Sequence, residues 1–475
     1  MLLTSHGPNF SRILASLNIA LQATRFIMKV SRSFTFIFAL FVTACGGSGS
    51  NTDDAPSSFP PVTVTASPTP TSVSSPTPSI SPTLTPVVAE PSPSVTPEPT
   101  DDPLAVSVDS LHSLASGFPI GAAVKSRRKS ADLITTDSAV GRARRENVKQ
   151  HYNQLTAENA FKMKHTQPQE GVFVWDPSTS QDPLSVPPNF IEELVSFAEE
   201  NGMSFHMHAL VWHTQTPDWL VEKYGDNDSA DVWEALMTDH ITEVVCHFAG
   251  RMASWDVVNE AFAEYAGRKG VYRDQIWYQK IGASYIEKAF IAADAARKNP
   301  ECTSSDNVGD LYYNDYDIAA DYYKRQSVKD MVADFKARNI PIDGIGLQMH
   351  VNPLYDQFAT ANLREGIRDI VTTGLKIKIT EMDVDMSGPG NTVFTDEEAL
   401  RQKQIYQEVI TAYMEEVPPA QRGGISFWGT DDGESWLNSR RASPPWPLLF
   451  DENFIEKPAL QGVADGLLAT FQGDS

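Results

Sequence analysis

Two glutamates stand where an apolar, strand-like run meets polar sequence. Glu260 closes SWDVVNE, and Glu381 sits inside KIKITEMDV. A carboxylate at the end of a buried strand is costly unless it works or is paired. Two of them on separate strands are the minimal equipment for cutting a glycosidic bond. One carboxyl protonates the leaving oxygen, and the other attacks or supports the sugar carbon. Asn259, just before Glu260, could hydrogen-bond the 2-hydroxyl of a sugar, a contact that strengthens in the transition state. His350 and Asp383 are the expected neighbours of Glu381. A histidine held between two carboxylates can orient one and keep it ionised, as a nucleophile requires. Glu158, Asn159 and Lys162 offer mixed polar groups for several hydroxyls, or else mark an exposed helix start. Trp212, Trp428 and Trp436 could wall sugar subsites, although a single tryptophan is as readily core.

These side chains need a scaffold that gathers strand ends. From Leu104 onward, short apolar runs alternate with helical stretches. The strand candidates are residues 119–124, 153–159, 204–212, 254–260, 310–315, 344–351, 376–384 and 424–429. Between them NFIEELVSFAEENG, SVKDMVADFKARN and DEEALRQKQIYQEVITAYMEE carry apolar residues at helical spacing. Eight strand–helix units in this length predict an α/β protein, a (β/α)8 TIM barrel. In that barrel all strand C-terminal ends ring one mouth. The polar residues Glu158, Asn159, His208, Asn259, Glu260, Asn314, Gln348, His350, Glu381 and Trp428 fall at those ends.

The string HMHALVWH raises a metal site, since an HxH pair on a barrel strand can bind zinc. Such barrels need further histidines on later strand ends, and only His350 qualifies. The expectation is no metal and no other cofactor. His208 is then read as a donor to a sugar hydroxyl, while the role of His206 is open, with core filling as its default.

The chain has 475 residues, 41% of them hydrophobic, and a formal net charge of −23. That is ample for a large core, and it disfavours nucleic acid and anionic membrane surfaces as partners. A neutral polymer is compatible with the charge, and nine Trp and fourteen Tyr suit stacking on sugar rings. Cys246 and Cys302 either pair, as in an exported protein, or remain buried thiols. Oligomeric state is not legible, and monomer is the default.

The N-terminus reads as an address. Met28 to Cys45 has a basic start, an apolar centre and small residues before Cys45, too short to span a bilayer. The ending Val42-Thr43-Ala44-Cys45 resembles a bacterial lipoprotein signal, which implies lipidation of Cys45 and a membrane link through that anchor alone. Residues 1–45 are thus a signal segment, with Met28 as a candidate start. Residues 46–103 are a Pro/Thr/Ser-rich linker that cannot bury a core. At about 3.1 Å per residue it would reach on the order of 150 Å. Residues 104–475 form the folded unit. The protein is expected to be exported, to the cell surface or outer membrane if lipidated and otherwise secreted.

The strings LTAENAFK, HALVWHTQTPDW, WDVVNE, LYYNDY, IGLQMHV, ITEMDV, FWGTDDGESW and PLLFDENFIEKPAL run in one order along the folded unit. Together they resemble glycoside hydrolase family 10, the endo-β-1,4-xylanases. The resemblance implies a TIM barrel, retention of anomeric configuration, no catalytic metal, and xylan or xylo-oligosaccharides as substrate. It implies Glu260 as acid/base and Glu381 as nucleophile. It places Glu158, Asn159, Lys162, His208, Trp212, Asn259, Gln348, His350, Trp428 and Trp436 around the sugar cleft. His206 and Met207 depart from the usual Arg and Gly, Phe161 from Met and Met163 from Pro, and the segment 176–188 is longer than usual. The competing readings are a surface lipoprotein that captures glycan without cutting it, and the same barrel acting on another β-glycan.

Overall fold

The computed structural model describes residues 102–115, 117–125, 137–176, 189–225, 228–353 and 360–471, all within one compact unit that begins at Ser94. The signal stretch, Cys45 and nearly all of the linker lie outside the described residues, as do residues 177–188 of the lengthened segment.

Among the described residues nine strands form: β1 (Ile120–Val124), β2 (Gln154–Ala157), β3 (Ser204–Met207), β4 (Ser254–Asn259), β5 (Asp310–Asp315), β6 (Gly344–Leu347), β7 (His350–Val351), β8 (Lys376–Val384) and β9 (Arg422–Phe427). All neighbours are parallel. β1 pairs with β9 and β6 pairs with β8, so eight strands close on themselves and leave no open edge. The two-residue β7 rides on the end of β8, with His350 opposite Asp383. The fold is the (β/α)8 TIM barrel.

The long helices among the described residues alternate with the strands: α1 (Ala139–His151), α2 (Ile191–Glu200), α3 (Ala230–Phe248), α4 (Tyr285–Arg297), α5 (Tyr322–Arg338), α6 (Thr360–Val371), α7 (Asp396–Glu416) and α8 (Pro458–Phe471). Their starts are legible in local chemistry. Thr395 and Glu398 form a reciprocal capping box at α7. Ser138 caps α1, and Asp321 accepts from Tyr323 N and Lys324 N at α5. Cys246 in α3 is disulfide-bonded to Cys302, just past α4. The core is the apolar layer between strands and helices, where Trp233, Trp255, Phe248, Tyr406 and Tyr413 are fully buried.

Three sequence expectations need correction. GIGLQMHV is two strands, not one, because the chain turns at Met349, whose φ is +62°. His350 therefore opens β7 and does not end β6. SFHMHALVW stops pairing as a strand at Met207. Glu381 lies within β8, which runs on to Val384.

Candidate active site

Glu260 follows the last residue of β4 with φ +57°, in the left-handed region that non-glycine residues rarely adopt. Two bonds hold it there. Its N–H donates to Asn314 O (2.9 Å), and Arg273 Nε donates to its carbonyl (3.1 Å). Strain of this kind persists only where surroundings over-determine it, and it clusters at functional sites. The turn lifts the carboxyl out of the strand plane into a cleft.

Glu381 enters the same cleft from β8 and is 4% exposed. Two residues tie it to Glu260. Asn314 accepts from Glu260 N and donates from Nδ2 to Glu381 Oε1 (2.7 Å). Gln348 accepts from Glu381 N at its carbonyl (3.0 Å) and donates from Nε2 to Glu260 Oε1 (3.0 Å). Each cross-link uses a backbone bond at one glutamate and a side-chain bond at the other. Gly346 makes room for this, since a Cβ there would overlap Asn314 Oδ1. The Asn259 carboxamide can accept from Asn314 and Gln348 (3.1 and 3.2 Å). Turned over, it accepts instead from Trp212 Nε1 and donates to Asn314 O, both at 3.1 Å.

His350 stands between Glu381 and Asp383. Its Nε2 is 3.2 Å from Glu381 Oε2 and its Nδ1 3.0 Å from Asp383 Oδ1. Burial opposes its charge, but the two carboxylates prevail and raise it to about 10. Trp436 Nε1 donates to the other oxygen of Asp383 (2.8 Å). Burial likewise works against an ionised Glu381, yet His208 and His350 hold its carboxyl below the usual range. Glu381 is thus the carboxylate kept charged in a dry place.

The two remaining histidines of the HxH pair meet Asp256. His206 Nε2 and His208 Nδ1 lie 3.1 and 2.9 Å from the same oxygen, Asp256 Oδ2. His206 Nδ1 meets Ser254 Oγ at 2.6 Å. Burial lowers the pKa of His206, and the two histidines hold Asp256 at about 2 against its own burial. His206 is more than filler, and His208 is orientated from below, with Glu381 Oε1 3.8 Å from Nδ1. His213 Nδ1 lies 3.7 Å from Glu260 Oε2.

The cleft encloses about 930 Å³. One lip carries Glu158, Asn159 and Lys162, which the short turn after β2 links: Asn159 Nδ2 donates to Glu158 (2.9 Å) and Lys162 Nζ to Asn159 Oδ1 (3.1 Å). Lys162 Nζ stands over the Trp212 ring at 4.3 Å. Burial lowers its pKa to about 8 against the pull of Glu381, Glu158 and Glu260. Burial raises Glu158. Trp428 and Trp436, after β9, line the cleft with His208, Gln348 and His350. The residues singled out from sequence within the described barrel thus converge, except that Asp383 stands behind His350, and Cys246 and Cys302 lie elsewhere. The sequence marks Asn314 only as a polar strand end and does not mark Asp256.

A profile described as Glycosyl hydrolase family 10 matches residues 112–466. Endo-beta-1,4-xylanase Xyn10C of Cellvibrio japonicus is 40% identical over 387 residues, 77% of this chain and 59% of the relative. Endo-1,4-beta-xylanase B of Thermotoga neapolitana is 34% identical over 320 residues, 67% of this chain and 82% of the relative. The solved structure of native xylanase 10C from Cellvibrio japonicus is similar at a TM-score of 0.65 and 39% identity, over 76% of this chain and 73% of that one. The chain spans less than two thirds of the length of Xyn10C and of endo-1,4-beta-xylanase A from the same species, 59% and 56%.

Proposed function

For this chain, which belongs to glycosyl hydrolase family 10, we propose endo-hydrolysis of β-1,4-xylosidic bonds in xylan with retention of configuration. The observation that carries the proposal is the pair of cross-links by Asn314 and Gln348, which fix Glu260 and Glu381 in one cleft. Glu381, ionised by its histidines, attacks the anomeric carbon. Glu260 gives its proton to the glycosidic oxygen as the carbon–oxygen bond breaks, and a xylosyl ester of Glu381 forms. Glu260, now a carboxylate, takes a proton from water, and that water attacks the anomeric carbon and releases Glu381. Two inversions give net retention. Asn259 serves the 2-hydroxyl, Glu158, Asn159, Lys162 and His208 the remaining hydroxyls, and the tryptophans the ring faces.

The N-terminal 45 residues serve export, Cys45 carries the lipid anchor, and residues 46–103 tether the barrel of residues 104–475 outside the cell. The polymer supports that placement, since it cannot enter a cell intact, and so does the Cys246–Cys302 disulfide. The test is Glu381→Ala on a polysaccharide panel of xylan, β-glucan and mannan. The wild type should release reducing ends from xylan foremost. The variant should be inactive, and azide should restore turnover with inverted product. Full activity in the variant would end the nucleophile assignment, and release from another glycan alone would change the substrate.

A further inference from the structure

Three Lys or Arg side chains line the cleft: Lys125, Lys162 and Arg440. Two of them are matched. Lys125 pairs with Glu434 (3.3 Å) and Glu158 (3.8 Å), and Lys162 is held by Asn159 among three carboxylates. Arg441, next along the chain, pairs with Asp385. Arg440 has no carboxylate within 4 Å among the described residues. It is exposed, and its guanidinium lies over the Trp436 ring, 4.7 Å from the centroid. Trp436 is itself anchored by its N–H to Asp383. In a chain with 23 excess negative charges, an unmatched cation on a cleft rim is unusual. Stacking on an anchored indole presents the planar fork toward the cleft.

We propose that Arg440 recognises the carboxylate of a uronic acid branch on the polysaccharide backbone, making acidic-branched xylan the preferred substrate. This rests on the proposed xylanase reading of the same cleft. A guanidinium fork matches a carboxylate bidentately. A neutral branch would gain nothing from its charge, and Lys125 is already neutralised. Asn438 and Ser439, just before Arg440, line the same cleft and offer polar contacts to the branch hydroxyls.

The test compares kcat/KM on glucuronoxylan and on the same polymer with its uronic carboxyls reduced to alcohols. The wild type should favour the acidic polymer about three- to fivefold, the scale of an exposed ion pair. Arg440→Leu should bring that ratio to near one, and Arg440→Lys should restore part of it. Added salt should erode the wild-type ratio and leave the Leu variant's unchanged. A ratio that is the same in wild type and Arg440→Leu overturns the proposal. Absence of cleavage of either polymer by the wild type would instead overturn the xylanase reading.

Discussion

Replacing His350 with Gln isolates what its charge does. Gln can still donate to Glu381, but it brings no proton that titrates. In the folded protein His350 is raised from 6.5 to about 10 by Asp383 and Glu381, against its burial. The sign follows from linkage. A raised pKa contributes stability that is complete below about pH 6.5 and is lost as pH climbs through about 10. At about 1.4 kcal/mol per tenfold, the rise corresponds to at most about 5 kcal/mol. His350→Gln should therefore lose several kcal/mol at pH 6 and lose its pH dependence between 6.5 and 10. Catalysis should move on the other flank. Glu381 must be ionised to attack, and it is depressed below its usual range partly by His350. Taking an adjacent cation away raises a carboxyl by about 1–3 units. The acidic limb of kcat/KM against pH should shift upward by that amount. Denaturant midpoints across pH and a full pH–rate profile measure both. An unmoved acidic limb, with the wild-type stability slope retained, would refute the argument that His350 is cationic and holds Glu381 ionised.

Other consequences are simpler. Glu260→Ala should fail severely on xylan and far less on aryl xylosides with acidic phenols, because such leaving groups need no proton. Comparing kcat/KM across a leaving-group series checks it. Asn314→Ala removes a 2.7 Å donor to the proposed nucleophile; a charge-assisted bond of about 1.5–3 kcal/mol predicts a loss of about 10- to 100-fold in kcat. Cys302→Ser opens a bridge between residues 56 apart, and chain entropy predicts a loss of about 4 kcal/mol in chemical denaturation, with kcat/KM near wild type.

Much of this architecture is readable because local chemistry and pattern agree. The helix at DEEALRQKQIYQEVITAYMEE lies where its spacing and its Thr395–Glu398 box put it. DLYYND is β5 to the residue. The break at Met349 is different. GIGLQMHV reads as one strand, and nothing in its composition marks the left-handed turn that splits it. The same holds for Glu260, whose conformation comes from bonds to Asn314 and Arg273, both distant in sequence. No local signal in the sequence marks the barrel interior as polar. In fact it holds His206, Asp256 and Lys378, the last lowered by burial to about 7. Polar cores are specified by three-dimensional pairing, and a single chain displays no sign of its pairs.

Hydrolysis with retention requires a covalent step at Glu381. A 2-deoxy-2-fluoro-xylobioside with a good leaving group should slow both steps and let the ester accumulate. Intact mass followed by peptide mapping is the measurement. The expected result is one disaccharide adduct per chain, on the peptide carrying Glu381. An unmodified protein that still turns over natural substrate to the inverted anomer, or an adduct on Glu260, would contradict it.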